Sequence, residues 1–214
     1  MIVSKLDRTY MIDIYFITLK ERTDRLNKLI ASFEKFKNIN LIKVDGVKHI
    51  IGAIGCFMSH QKCIQLAKDN KMKNIFVIED DCTPVGDDFE EKIIQLKNYF
   101  DNIDDWCIFL GGGTFSHKNI IKKFNDKLNL YLINHAFDMH FVCYNNIIFN
   151  MFLKANPKSC PIDHFWKHKM QALVVIPFIA IQDTSYSDII NEVRTNERFN
   201  IVERRLEKKL NLFQ

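Results

Sequence analysis

Residues 75–82 read IFVIEDDC: four consecutive apolar residues run directly into Glu79, Asp80 and Asp81. The apolar run is short and made of β-branched and aromatic types, which reads as a strand buried on both faces. The acids then stand at its carboxyl end, and ligands of parallel sheets bind beyond that end. Three adjacent carboxylates repel one another unless positive charge sits among them. Hard oxygen ligands suit Mg²⁺ or Mn²⁺. Solvated acids of an ordinary turn are the plainer alternative, and the triplet alone leaves both open.

Working outward, IDIYFITL (12–19) reads as another buried strand. From Thr23, read as a cap, Leu26, Leu29, Ile30, Phe33 and Phe36 fall at helical spacing, and NLIKV (40–44) reads as a second strand. Residues 53–70 carry a second helical stripe through Ile54, Phe57, Met58 and Ile64. Beyond the acids come a helix over about 88–100, a strand WCIFL and three glycines, Gly111 to Gly113. Strands alternating with helices predict an α/β fold with a mostly parallel central sheet and helices on both faces. The later chain is more mixed: LNLYLI, MHFVCY, a helix near 145–155, CPIDHFW and a strand ALVVIPFIAI. The expected organisation is a leader over 1–11, one domain over 12–190 and an amphipathic helix over 191–214. Phe199, Val202, Leu206, Leu210 and Phe213 form the apolar stripe of that helix. Packing on the parent domain is its first reading. A homodimer contact, or a membrane-surface role for Arg204, Arg205, Lys208 and Lys209, are the others.

Composition narrows the classes. The 214 residues are 47% hydrophobic and 26% charged, with a formal net charge of +4, which gives little reason to expect nucleic acid as a partner. No apolar run approaches the ~18 residues of a membrane span. Asp7 and Arg8 interrupt any signal-peptide pattern, so a cytoplasmic location is expected. The six cysteines form no C-x-x-C pair and mostly sit in apolar runs, reading as reduced core residues.

Two enzyme classes place acids after a strand in this way. In phosphoryl transfer of the haloacid dehalogenase type the strand ends in Asp-x-Asp-x-Thr; EDDCT has Asp81 and Thr83 in step, but Glu79 falls at the nucleophile. In nucleotide-sugar glycosyltransferases the acids hold a metal that neutralises the diphosphate leaving group, and Glu is tolerable there. Context favours the second. IDIYFITLKERTDRL, GAIGCFMSH, IFVIEDD, HFVCY, CPIDHF and YSDI follow one another in the order of the motifs of glycosyltransferase family 25, the lipooligosaccharide and collagen galactosyltransferase group. The chain resembles that family from about residue 12 to 189. It departs at Thr18, where Asn is usual, at Ala53, where an acid is common, and at His164, where the collagen enzymes have an acid.

The resemblance implies a GT-A type nucleotide-sugar transferase fold, a UDP-hexose donor, bound Mn²⁺ (or Mg²⁺) and inversion at the anomeric carbon. On it, Asp81 with Glu79 ligates the metal, while Asp80 helps ligate or holds the ribose. Arg22 and Arg25 are candidates for the uracil or diphosphate, or are solvated helix charges. Thr18, Asp45, Gly46, Ser59 and His60 are expected on the donor side; DG is also a plain turn, and His60 equally a structural histidine. Gly111–Gly113 let backbone approach the sugar or form a turn. His164 and His168, four apart, have a metal-binding spacing. An inverting transfer needs a base for the acceptor hydroxyl; Asp163 is the first candidate and Asp188 the second, a cap and a turn being their plain readings. The expected reaction moves galactose or glucose from a UDP-sugar to a hydroxyl of a glycan or of (galactosyl)hydroxylysine on collagen-like protein. A Mg²⁺-dependent phosphotransferase and a non-catalytic glycan-binding module are the alternatives.

Overall fold

The computed structural model describes residues 11–115, 121–134, 136–167, 172–187 and 192–211. The leader up to residue 10, His168, Asp188 and Phe213 lie outside the described residues. In chain order the elements are β1 (Ile12–Thr18), α1 (Thr23–Phe33), β2 (Ile39–Asp45), α2 (Gly52–Asp69), β3 (Asn74–Glu79), β4 (Cys82–Pro84) and α3 (Phe89–Asn102). There follow β5 (Ile108–Leu110), β6 (Thr114–Phe115), β7 (Ile121–Asn125), β8 (Leu130–Ile133), β9 (Ala136–Phe137) and β10 (Phe141–Asn145), then a 3₁₀ turn at Asn146–Ile148 and α4 (Phe149–Leu153). The chain continues through α5 (Ile162–Lys167), β11 (Ala172–Val175), β12 (Ala180–Gln182), β13 (Ser185–Ser187), β14 (Glu192–Arg194) and α6 (Glu197–Asn211).

β3 shows how the sequence builds the layers. Successive strand side chains point to opposite faces, so Ile75 and Val77 enter one core while Phe76 and Ile78 enter the other. All four are buried, which is why the stretch is apolar without alternation. The first core receives Phe57 and Ile64 of α2, Phe152 of α4, Trp166 of α5 and Phe199 of α6. The second receives Leu29 and Phe33 of α1 and Phe89, Ile93 and Phe100 of α3. The central sheet is thus covered on both faces, as expected. By the same alternation Glu79 follows Ile75 and Val77 toward α2.

The sheet has eight strands in the order β2-β1-β3-β10-β5-β11-β8-β7. Strands β2, β1, β3, β5, β11 and β7 point one way, and β10 and β8 the other. β10 lies antiparallel between β3 and β5, with Phe141 opposite Ile78 and Val142 opposite Leu110. Its first residue therefore sits beside the carboxyl ends of its neighbours, and the Glu79 amide donates to the His140 carbonyl at 2.9 Å. The segment before β10 is delivered to the acids.

Three details differ from the sequence reading. ALVVIPFIAI is not one strand: it ends at Val175, and beyond Pro177 the chain forms β12, which leaves the central sheet to pair with β4. Proline has no N–H for a central ladder. The pairing sets Gln182 opposite Cys82, next to the acids. Gly111–Gly113 open no space for a sugar; a Cβ on Gly112 would lie 2.1 Å from the Ala180 carbonyl oxygen, so the glycine admits the neighbouring chain. Helix α1 has no side-chain cap: Arg22 holds the cap position, and the helix stops at Phe33 although Phe36 still packs in the core.

The tail packs on its own chain. Phe199 and Leu206 are buried in the first core, with Val202 and Leu210 at its edge, and the Phe199 ring lies 5.1 Å from the His140 ring. From Phe199 to Leu210 the apolar stripe considered for a homodimer therefore packs on the parent domain. No helix among the described residues is long and apolar enough to cross a membrane.

Candidate active site

Glu79, carried toward α2 by strand alternation, meets two side chains spaced one helical turn apart. Its Oε1 lies 3.2 Å from Cys56 Sγ and 3.3 Å from His60 Nε2. The buried His60 ring turns Nδ1 to the Tyr144 hydroxyl of β10 at 2.8 Å. A ring protonated on Nε2 satisfies both contacts: Tyr144 donates to Nδ1, and Nε2–H donates to Glu79. Burial raises the Glu79 carboxyl, but the hydrogen bonds from His60 and Cys56 outweigh it and hold the group below its ordinary value. Glu79 is thus held as an acceptor through Oε1.

Asp80 and Asp81 turn elsewhere. Arg25 Nη1 donates to Asp80 Oδ1 at 3.0 Å and to Asp81 Oδ2 at 3.2 Å, and Nη2 donates to Ser185 Oγ at 3.1 Å and to the Tyr186 carbonyl. Part of the positive charge that the acidic run calls for is therefore Arg25 itself, which engages the acids rather than standing free for a donor. One guanidinium does not balance three acids. Burial, then Glu79 and Asp80, push the Asp81 carboxyl up to about 7 against the pull of Arg25 and Gln182. Burial likewise raises Asp80. Hard carboxylate oxygens of this kind suit a divalent cation, but among the described residues the three acids do not gather into one ligand group.

Two cavities meet on this wall. The larger, of about 440 Å³, is lined by Thr18, Arg22, Arg25, Gly46, Lys48, His49, Ser59 and His60. The smaller, of about 230 Å³, is lined by Asp138, Asp163, His164, Asp183 and Arg194. Cys56, Glu79, Asp81 and Gln182 line both. The structure thus brings Thr18, Arg22, Arg25, Gly46, Ser59, His60, Glu79, Asp80 and Asp81 to the larger cavity. Arg22 is forked onto Asp24 at 3.1 Å. Ser59 holds the cavity loop, accepting from the Val47 amide at 2.8 Å and donating to the Gly55 carbonyl at 2.7 Å. Asp45 does not line it: its carboxylate pairs with Lys43 at 3.2 Å and its carbonyl accepts from Lys62.

Asp163 stands in the first turn of α5, facing the smaller cavity. Its Oδ1 is buried without a partner, and the Asp138 amide donates to the carboxylate. Burial, then Asp138 and Glu79, push it up to about 7. Asp138, absent from the sequence reading, is buried at φ 67°, a conformation uncommon outside glycine. Its carboxylate accepts from Thr114, Arg194 at 3.1 Å and Arg198 at 3.5 Å. Gln182, Tyr144 and Arg194 also escaped the sequence reading. The one signal for Asp138 is an acid placed just before an apolar strand, the reverse of the pattern that draws attention to Glu79. His164 lines the cavity, whereas Asp188 and His168 lie outside the described residues.

Residues 51–154 match the sequence pattern of glycosyltransferase family 25 (LPS biosynthesis protein). The stretch holds the segments GAIGCFMSH and IFVIEDD. No curated protein matches the chain. Among solved structures the fold is similar to A197 from STIV (10% identity, covering 87% of this chain and 94% of that one, TM-score 0.47). It is also similar to a glycosyltransferase involved in the glycosylation of the major capsid of PBCV-1 (9% identity, 66% and 63% covered, TM-score 0.41) and to apo UDP-glucose pyrophosphorylase (8%, 92% and 81%, 0.45). Likenesses this loose say nothing of substrate or mechanism. The architecture is the α/β fold expected, a mostly parallel central sheet covered by helices on both faces.

Proposed function

We propose that the protein is a metal-dependent inverting glycosyltransferase that moves galactose or glucose from a UDP-sugar to a hydroxyl of a glycan or of (galactosyl)hydroxylysine on collagen-like protein. The observation that carries this reading is the pair of cavities meeting across Glu79 and Asp81, with Asp163 on the far side. An in-line displacement needs the leaving group on one side of the reacting carbon and the attacking hydroxyl on the other.

In this reading the larger cavity takes the donor. Arg22 and Lys48 set positive charge around its diphosphate, and Arg25 reaches it by giving up a carboxylate contact. Asp81 and Glu79 hold Mn²⁺ or Mg²⁺, which when bound adds positive charge beside the leaving diphosphate. Cys56 and His60 aim Glu79 by their hydrogen bonds. The acceptor enters the smaller cavity, and Asp163 Oδ1, the unpartnered oxygen, takes the hydroxyl proton as the new bond forms. A base titrating near 7 is matched to that task at neutral pH. Asp188 is the second candidate for the base or for completing the metal shell.

The test is a screen of nucleotide sugars with glycan and hydroxylysine acceptors, following nucleotide release with and without Mn²⁺. Release of UDP that needs both metal and acceptor is expected. Failure of every nucleotide sugar, or full activity in EDTA, overturns the reading.

A further inference from the structure

Beside the all-oxygen acids lies a donor set of different chemistry. Cys56 and His60 sit four residues apart on α2, so both side chains leave the same helical face. Glu79 arrives opposite them from the end of β3. Sulfur, ring nitrogen and carboxylate oxygen all lie within 4.8 Å of one another. Among the described residues no other His, Cys, Asp or Glu side chains gather in this way. The Tyr144 hydroxyl, 2.8 Å from Nδ1, fixes the ring with Nε2 toward the other two donors. A hydrogen-bonding group on the remote nitrogen is the usual support of a metal-bound histidine. Cys56 and Glu79 line both cavities, so an ion has an entrance and an open fourth position.

We infer that Cys56 Sγ, His60 Nε2 and the Glu79 carboxylate form a three-ligand site for a borderline transition cation, with Zn²⁺ as its natural occupant. Mixed sulfur, nitrogen and oxygen donors select Zn²⁺ over Mg²⁺ or Mn²⁺, which prefer oxygen alone. On binding, the thiol proton leaves to solvent and the sulfur lone pair goes to the metal. The imidazole stays neutral: its proton moves from Nε2 to Nδ1, and Tyr144 changes from donor to acceptor. The site goes beyond the glycosyltransferase reading and stands whether or not transfer is found. If transfer is found, a zinc ion here takes Glu79 from the shared wall and inhibits.

Metal-stripped full-length protein titrated with Co²⁺ provides the test. One ion per chain is expected, with a thiolate-to-cobalt charge-transfer band and tetrahedral visible absorption, both displaced by one equivalent of Zn²⁺. Cys56→Ser removes the band and weakens Zn²⁺ binding at least about tenfold, while Tyr144→Phe keeps the band and weakens binding about 10- to 100-fold. Cys107→Ser, at a half-buried thiol just before β5 that lines neither cavity, changes neither. In the unsubstituted protein Zn²⁺ protects Cys56 from iodoacetamide, as read by peptide mass, and millimolar Mg²⁺ does not; this arm holds even if Cys56→Ser fails to fold. Cobalt bound without a thiolate band, unchanged zinc affinity in folded Cys56→Ser, or no protection of Cys56 overturns the inference.

Discussion

The two cavities share a wall yet are made differently. Every lining residue of the larger lies between Ile17 and Asp81 except Gln182, and its rim carries Arg22, Lys48 and His49. The smaller draws on α2, the segment before β10, α5, the turn after β12 and β14, and is dominated by Asp138, Asp163 and Asp183. The first is a product of consecutive βαβ units, whose strand ends fall side by side. The second exists only because distant segments converge. The difference teaches that the larger, cation-rimmed cavity is framed locally, whereas the smaller, acid-lined one depends on long-range placement.

The largest expected effect comes from the shared wall. Asp81→Asn removes one of the two carboxylates common to both cavities, and turnover and Mn²⁺-dependent UDP binding should both fall below detection. The same change should stabilise the metal-free fold at high pH. A carboxyl raised to about 7 when folded favours folding at low pH, and that contribution is lost as pH rises through 7. Thermal unfolding at pH 8 should therefore show a higher Tm for the variant, and a lower one would break the picture of a strained acid.

Asp163→Asn touches the smaller cavity alone. It should lower kcat about 10²- to 10⁴-fold and leave donor affinity by calorimetry nearly unchanged. For the unsubstituted protein at saturating metal, kcat/KM should rise about tenfold per pH unit below about 7 and level off above, because Asp163 acts ionised. Near-normal kcat in the variant would move the base to Asp188.

Arg194→Ala sharpens the contrast more gently. Arg194 pairs with Asp138 and holds the Asp163 carboxyl down, so its removal should move the midpoint of that pH profile upward with a smaller loss at high pH. The smallest effect belongs to the donor rim. Lys48 is exposed and paired with Glu21, so Lys48→Ala should raise the donor KM by about two- to fivefold, fading as salt is added, with kcat unchanged.

The same division governs what the sequence reveals. Glu79–Asp81 and the helix bearing Cys56, Ser59 and His60 were legible because strand and helix periodicities over short separations put them at one sheet end. Asp163 stood out through the resemblance and Pro161. Asp138 did not, because its position depends on β10 running backwards between β3 and β5, and a short, largely apolar strand carries no mark of its direction. Gln182 was hidden because ALVVIPFIAI reads as one strand unless Pro177 is taken as its end. The pairing of Arg25 with Asp80 and Asp81 leaves no trace in the sequence, since the turn that brings them together has no periodic signature.

The reversed central strand also bears on how the chain is made. β3 finds β1 early in synthesis, but its other edge waits for Phe141–Asn145, about 60 residues later. At ribosomal rates that interval is roughly 3–12 s. During it, four apolar residues without proline present an open hydrogen-bonding edge, the kind of surface that recruits foreign strands. Nascent chains halted between Asp81 and Phe141 should thus be the most aggregation-prone, and the acidic wall is among the last parts of the molecule to be assembled.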